Sequence, residues 1–107
     1  MAERADVNLI DRLTSERALS QHVFDLARTL GWMAARYPTW HRTSTTAGFP
    51  DLVLVRPPRL LFVELKSERG ELTAAQQDWW RAIAGVPGVE YYCWRPRDRD
   101  RWLEVLT

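Results

Sequence analysis

Two acidic residues and one lysine near the middle of the chain have the types and spacing for metal-assisted hydrolysis. Asp51 and Glu64 lie in two apolar runs, residues 51–55 and 60–66, that are separated by Pro57 and Pro58. This pattern predicts a hairpin with its turn at the prolines. Asp51 and Glu64 are equally far from the turn centre, so the hairpin would place them opposite one another, with Cβ atoms roughly 4.5–5.5 Å apart. Lys66 is two residues beyond Glu64 and is predicted to point to the same face.

Carboxylates held that close repel one another unless a cation neutralises them. Hard oxygen ligands suit Mg²⁺ or Mn²⁺, and such an ion polarises a phosphodiester and lowers the pKa of a bound water. Lys66 is the only lysine among fifteen basic residues, and arginine in its place could supply charge but no proton transfer. The alternative is a structural ion-pair network, with Lys66 paired to Glu64 or Glu68.

The rest of the chain predicts the elements that would position this centre. Residues 16, 19, 23, 26 and 30 follow helical spacing, with Thr14 or Ser15 as the cap and Gly31 as the end. Thr73 is predicted to open a second helix that ends near Gly85 or Gly88, and a short helix is predicted after Pro96. Strands are predicted at residues 51–55, 60–66 and 89–94, with another possible at 32–37. The runs at 51–55 and 60–66 are apolar on both faces, which indicates central strands covered by helices on each side. The order predicts an α/β fold.

Gly48-Phe-Pro-Asp51 followed by Glu64-Leu-Lys66 resembles the Pro-Asp…(Asp/Glu)-x-Lys signature of the restriction-endonuclease-like nuclease superfamily. Together, residues 47–55, 64–70 and 72–76 resemble the virus-type replication–repair nuclease domains, VRR-NUC. The resemblance covers residues 14–106. It implies a mixed β-sheet core flanked by helices, with one nuclease domain at residues 14–107 after a charged tail at 1–13.

The resemblance also implies a role for each matching residue. Asp51, Glu64 and the backbone carbonyl of Leu65 would hold the metal, and Lys66 would be the catalytic lysine. Glu16 matches an acidic residue that approaches the same metal, but it is also a first-turn glutamate favoured by the helix dipole. Gln76 matches a catalytic glutamine, but it also fits a capping box with Thr73.

The expected substrate is DNA, cut with Mg²⁺ or Mn²⁺. The resemblance implies an endonuclease for branched DNA, such as four-way (Holliday) junctions, acting as a homodimer that cuts both strands. The alternative is a nuclease-fold DNA-binding module that has lost catalysis. Hydroxyl-bearing residues and one arginine before the Asp51 turn are predicted to contact phosphates, a solvated loop being the alternative: Arg42, Thr43, Ser44, Thr45 and Thr46.

Composition limits the classes of protein to which the chain could belong. The formal net charge of +1 gives no indication of nucleic acid by itself. The single Cys93 excludes an intramolecular disulfide and is interpreted as a buried structural thiol. We expect a cytoplasmic protein with no membrane association, because the sequence contains no apolar stretch near the roughly 20 residues that span a bilayer and its N-terminus lacks a signal-peptide pattern.

Two other groups of residues are interpreted as structural. Trp79 and Trp80 are expected in the core rather than as base-stacking platforms, with one of them more exposed and available to a subunit interface. The basic run from Arg95 to Arg101 is interrupted by aspartates and is interpreted as a solvated face.

Overall fold

The computed structural model describes residues 16–37 and 43–107. The predicted tail at 1–13, the proposed caps Thr14 and Ser15, and Arg42 lie outside the described residues. Among the described residues, no helix is long and apolar enough to cross a membrane.

Four strands form a mixed sheet in the order β1-β2-β3-β4. They are β1 (Met33–Arg36), β2 (Leu52–Arg56), β3 (Arg59–Leu65) and β4 (Val89–Trp94). β2 is antiparallel to both of its neighbours, β1 and β3, and β4 runs parallel to β3. The sheet therefore confirms the predicted α/β fold, with the hairpin strands β2 and β3 at its centre.

The hairpin has the register predicted from the two prolines. Leu52 pairs with Val63 and Arg56 with Arg59 around the Pro57–Pro58 turn. At the end of the hairpin away from the turn, β2 and β3 are each one residue shorter than predicted. Asp51 precedes β2 and Lys66 follows β3, so each lies just beyond a strand end.

Helices cover both faces of the sheet, as predicted. On one face, α1 (Glu16–Thr29) buries Leu19, Val23 and Ala27. The core is completed by alternate residues of the sheet and by α3 (Arg99–Leu106), which follows a short 3₁₀ turn at Pro96–Asp98. These core residues are Leu52, Leu54, Leu61, Val63, Leu65, Trp94, Trp102, Val105 and Leu106. Gly31, with φ of +90°, follows α1 and allows the reversal into β1.

The opposite face of the sheet carries α2 (Ala74–Ala84). Phe62 lies between the core residues Leu61 and Val63, so its side chain points to the other face. There it meets Phe49, with ring centroids 6.0 Å apart, and Phe49 meets Trp79 of α2 at 5.1 Å. This aromatic contact fixes α2 over the face that also carries Glu64.

Candidate active site

Asp51 and Glu64 are brought together at the end of the hairpin. The β2–β3 register, continued one step beyond Leu52 and Val63, places Asp51 beside Glu64. The Asp51 side chain reaches across the strand end, where its Oδ2 accepts a hydrogen bond from the backbone N–H of Leu65 at 2.8 Å. Glu64 is only 1 % exposed. A buried carboxylate therefore has a second carboxylate next to it.

Gln76, in the first turn of α2, contacts Glu64. Its Nε2 donates to Glu64 Oε1 at 3.0 Å. Its Oε1 accepts the N–H of Thr73 at 2.9 Å, while its own N–H donates to Thr73 Oγ1 at 3.2 Å. The capping-box prediction is confirmed. The other end of the same amide contacts Glu64, and the catalytic role of Gln76 stays a prediction.

Gly48 lets the segment before Asp51 pack directly on α2. Its φ is +83°, and a Cβ at this position would lie 2.4 Å from the backbone carbon of Ala75. A hydrogen bond joins the same segment to α2, since Trp79 Nε1 donates to the carbonyl of Ala47 at 3.0 Å. The turn that delivers Asp51 and the helix that delivers Gln76 are thus held against each other.

Lys66 is almost fully buried, with an exposure of 6 %. Its backbone N–H donates to Trp94 O at 2.9 Å, which extends the β3–β4 ladder by one residue. Its Nζ lies 3.7 Å from Oε1 of Glu16, the first described residue of α1, whose side chain is 45 % exposed. The structure therefore places Glu16 beside the lysine, and its role as a metal ligand stays a prediction.

The loop after Lys66 is held by Arg95, which directly follows β4. Arg95 Nη1 donates to the carbonyls of Ser67 and Gly70, each at 2.6 Å. The same loop also contacts the segment after β4 through Glu68, whose Oε1 accepts the backbone N–H of Arg97 at 2.7 Å. The interpretation of this basic run as a solvated face is wrong for Arg95, which is half-buried. The parallel pairing of β3 and β4 brings their carboxyl ends to one edge of the sheet, and that is the signal by which Arg95 could have been found.

Tyr91 and Cys93 lie on the same face as Glu64 and were not assigned to the site from sequence. In the β3–β4 register Phe62 pairs with Tyr91 and Glu64 with Cys93. Burial raises the pKa of Tyr91, and the negative charges of Glu64 and Asp51 raise it further, so Tyr91 is a neutral phenol near both carboxylates. Burial likewise raises the pKa of Cys93, against an opposing effect of Arg95.

The segment that was predicted to contact phosphates forms a turn before Asp51. Thr43, Ser44 and Thr45 are exposed, and Thr46 is half-buried. Thr43 N–H donates to Thr46 Oγ1 at 2.7 Å, and the Thr43 and Thr45 hydroxyls share a hydrogen bond at 2.9 Å. Phosphate binding by these residues stays a prediction.

The oxygen atoms at the hairpin end fit a hard divalent cation. Leu65 N–H points toward Asp51, and the N–H and carbonyl of one strand residue project to the same side, so the Leu65 carbonyl also faces Asp51. Two carboxylates and one carbonyl are ligands that Mg²⁺ and Mn²⁺ prefer. In the described part of the chain, no three His, Cys, Asp or Glu side chains are grouped to hold a metal. A metal here would depend on the two carboxylates and the backbone oxygen.

Comparison with known proteins matches a family model and a solved structure. The family model for the VRR-NUC domain matches residues 2–95. A solved structure titled "VRR_NUC domain" is similar to this chain with a TM-score of 0.63 and 18 % sequence identity, covering 84 % of this chain and 96 % of that one. At that identity, the structural likeness shows the fold. No curated protein matches the sequence.

Proposed function

Because the chain belongs to the VRR-NUC family of nuclease domains, we propose that it is an endonuclease that hydrolyses DNA phosphodiester bonds with Mg²⁺ or Mn²⁺. The observation that carries the proposal is the pairing of two buried charged residues in one motif. Glu64 and Lys66 are 1 % and 6 % exposed, two residues apart, with Asp51 beside them. Burying two charged groups costs stability even where each has a partner, so their presence together favours a chemical role.

Asp51, Glu64 and the Leu65 carbonyl would hold the metal, and Glu16 is proposed as a further ligand. When bound, the ion would supply a Lewis acid for the phosphate and lower the pKa of a water. Lys66 acts on the substrate, and Gln76 acts on the metal ligand Glu64. Lys66 Nζ donates to the negative charge that develops on the phosphate oxygens and carries a proton that it can exchange.

Gln76 acts as a positioning residue for Glu64. Its hydrogen bond fixes one carboxylate oxygen at 3.0 Å, and the capping box fixes Gln76 in turn. Ligands held in this way keep their geometry without reorganising when the substrate binds. Glu16, beside Lys66, restrains the ammonium by charge attraction.

We propose branched DNA, such as four-way junctions, as the preferred substrate, cut by a homodimer. The support for two copies is that the described residues of one chain form one such centre, so that cutting two strands together requires a second chain. The turn at Thr43–Thr46, joined to the site through Ala47 and Trp79, is the proposed phosphate-binding segment, together with Arg42.

Cleavage of labelled linear, flap and four-way-junction DNA tests the proposal, in Mn²⁺ and in EDTA. We expect cleavage only with metal, fastest on the junction, and slower by about 100-fold or more in Lys66→Ala. Arg101→Ala is the matched control, because it also removes one cation but from an exposed position on α3. Cleavage in EDTA, or at full rate by Lys66→Ala, would overturn the mechanism. Equal rates on all three DNAs would overturn the preference, and binding without cleavage would indicate an inactive DNA-binding module.

A further inference from the structure

An exposed tryptophan lies one helical turn from Gln76. Trp80 follows Gln76 by four residues, so the two side chains share a face of α2. Trp80 is 43 % exposed. Its neighbour Trp79 is turned toward the protein, where it packs on Phe49 and donates to Ala47. The sequence expectation that one of the pair is exposed is confirmed, and the packing contacts of Trp79 with Phe49 and Ala47 leave Trp80 available for another role.

Tyr91 connects Trp80 to the carboxylates. The Trp80 and Tyr91 ring centroids are 6.3 Å apart, with the planes inclined by 33°. Tyr91 is on the same face of the sheet as Glu64, on the neighbouring strand. Trp80 and Tyr91 thus form a continuous aromatic surface, here called the aromatic ledge, which runs from the site to solvent.

We propose that the aromatic ledge stacks a base of the DNA substrate that a branch point or flap leaves exposed beside the bond to be cut; this rests on the proposed function and specifies its substrate class. A base inside a duplex is already stacked on both sides, whereas a base at a branch point or flap has a free π-face. Stacking on an aromatic side chain contributes about 1–3 kcal/mol per base. The ledge would therefore select branched or flapped DNA, in which a base next to the site lacks a stacking neighbour on one face.

The surroundings of Trp80 favour a nucleic acid over a second protein surface. Asp78 and Arg81 flank it on α2, with side chains 77 % and 68 % exposed. Arg81 provides a cation for the phosphate of the stacked nucleotide, since its pair with Asp78, at 3.7 Å, is weak in water. Among the described residues, the other large exposed apolar side chains are Met33 on β1, Val86 in the turn after α2 and Leu103 on α3. A subunit interface centred on Trp80 would need a broad patch of roughly 600–1,000 Å² on each copy, so the homodimer proposed above would form through another surface.

Binding in EDTA tests the ledge separately from catalysis. The probes are a duplex and the same duplex with a single-stranded flap, carrying the fluorescent base 2-aminopurine at the first unpaired position. Trp80→Ala should weaken flap binding about 5- to 100-fold more than duplex binding, and should remove the fluorescence quenching that stacking produces. Trp80→Phe should keep most of both effects. Leu103→Ala, at an equally exposed apolar residue on α3, should change neither.

An equal loss for duplex and flap, or no loss, would overturn the proposal. So would a shift from dimer to monomer in Trp80→Ala with flap preference intact, because that would make Trp80 part of a subunit interface. Failure of cleavage in Mn²⁺ with the Trp80-dependent flap preference retained would count against the proposed function alone.

Discussion

Gln76 donates from Nε2 to Oε1 of Glu64 at 3.0 Å. The same side chain closes the capping box of α2 by accepting the N–H of Thr73. The start of a helix and the orientation of a buried carboxylate are therefore determined by one amide. This arrangement explains how a short chain holds Glu64 in place with few residues. It predicts two effects that can be measured separately, one on the stability of the helix cap and one on cleavage.

Substitutions at Thr73 and Gln76 distinguish the cap from the site. Thr73→Ala removes one cap hydrogen bond and should cost about 1 kcal/mol of stability, with cleavage unchanged. Gln76→Glu keeps an oxygen for Thr73 N–H but replaces the donor to Glu64 with a second carboxylate, so cleavage should fall by about tenfold or more. Urea unfolding and single-turnover cleavage measure the two effects. Parallel losses of stability and rate in both variants would show that Gln76 acts only through the helix.

Gly48 and Gly31 form a natural pair for testing the close approach to α2. Both have positive φ, but a Cβ at Gly31 meets nothing within 4 Å, whereas at Gly48 it would meet Ala75 backbone at 2.4 Å. Gly31→Ala should cost about 1–2 kcal/mol from the backbone conformation alone. Gly48→Ala should cost about 1–3 kcal/mol more, because backbone must move. Equal losses in urea unfolding would mean that the contact with α2 contributes nothing.

Arg95 should act as a clamp on the loop after Lys66. Arg95→Ala removes a charged donor from the carbonyls of Ser67 and Gly70 and should cost about 1.5–3 kcal/mol. Amide hydrogen exchange at residues 67–70 should accelerate, with less effect in Arg95→Lys. Arg101→Ala, at an exposed ion pair, should change stability by less than about 0.5 kcal/mol. Unchanged exchange at 67–70 in Arg95→Ala would contradict the clamp.

The ion pair at the start of β3 and β4 predicts a dependence of stability on pH. Arg59 donates to both oxygens of Glu90, and Tyr92 adds a third hydrogen bond, which lowers the pKa of Glu90, Arg59 being the main cause. A carboxyl whose folded pKa is lowered stabilises the fold above its ordinary pKa and loses that effect as the pH falls through the folded value. Glu90→Gln should therefore lose stability at neutral pH, and the difference should shrink in acid. A difference that stays constant with pH would contradict this.

The parts that sequence predicted well are those determined by local chemistry. The β2–β3 register follows from the position of two prolines, and α1 and α2 follow from apolar spacing with Gly31 and Thr73 at their ends. These features depend on neighbours a few residues away in the chain, so spacing is sufficient to find them.

The parts that sequence missed depend on contacts between distant elements. Arg95 contacts carbonyls about 25 residues earlier, and Tyr91 reaches the carboxylates only because β4 lies parallel to β3. Nothing in either residue's local pattern specifies that pairing. Gln76 was recognised, but the sequence offered its two contacts as alternatives, since only the position of α2 over Glu64 makes them compatible.

The central claim is that Asp51 and Glu64 together hold a divalent cation, and Mn²⁺ binding without DNA tests it most directly. Titration followed by electron paramagnetic resonance should show Mn²⁺ bound to the unmodified chain. Binding should weaken by about tenfold or more in both Asp51→Asn and Glu64→Gln, and be retained in Glu90→Gln, which alters a carboxylate at the other end of the β4 strand. Equal Mn²⁺ affinity in all four proteins would contradict the account.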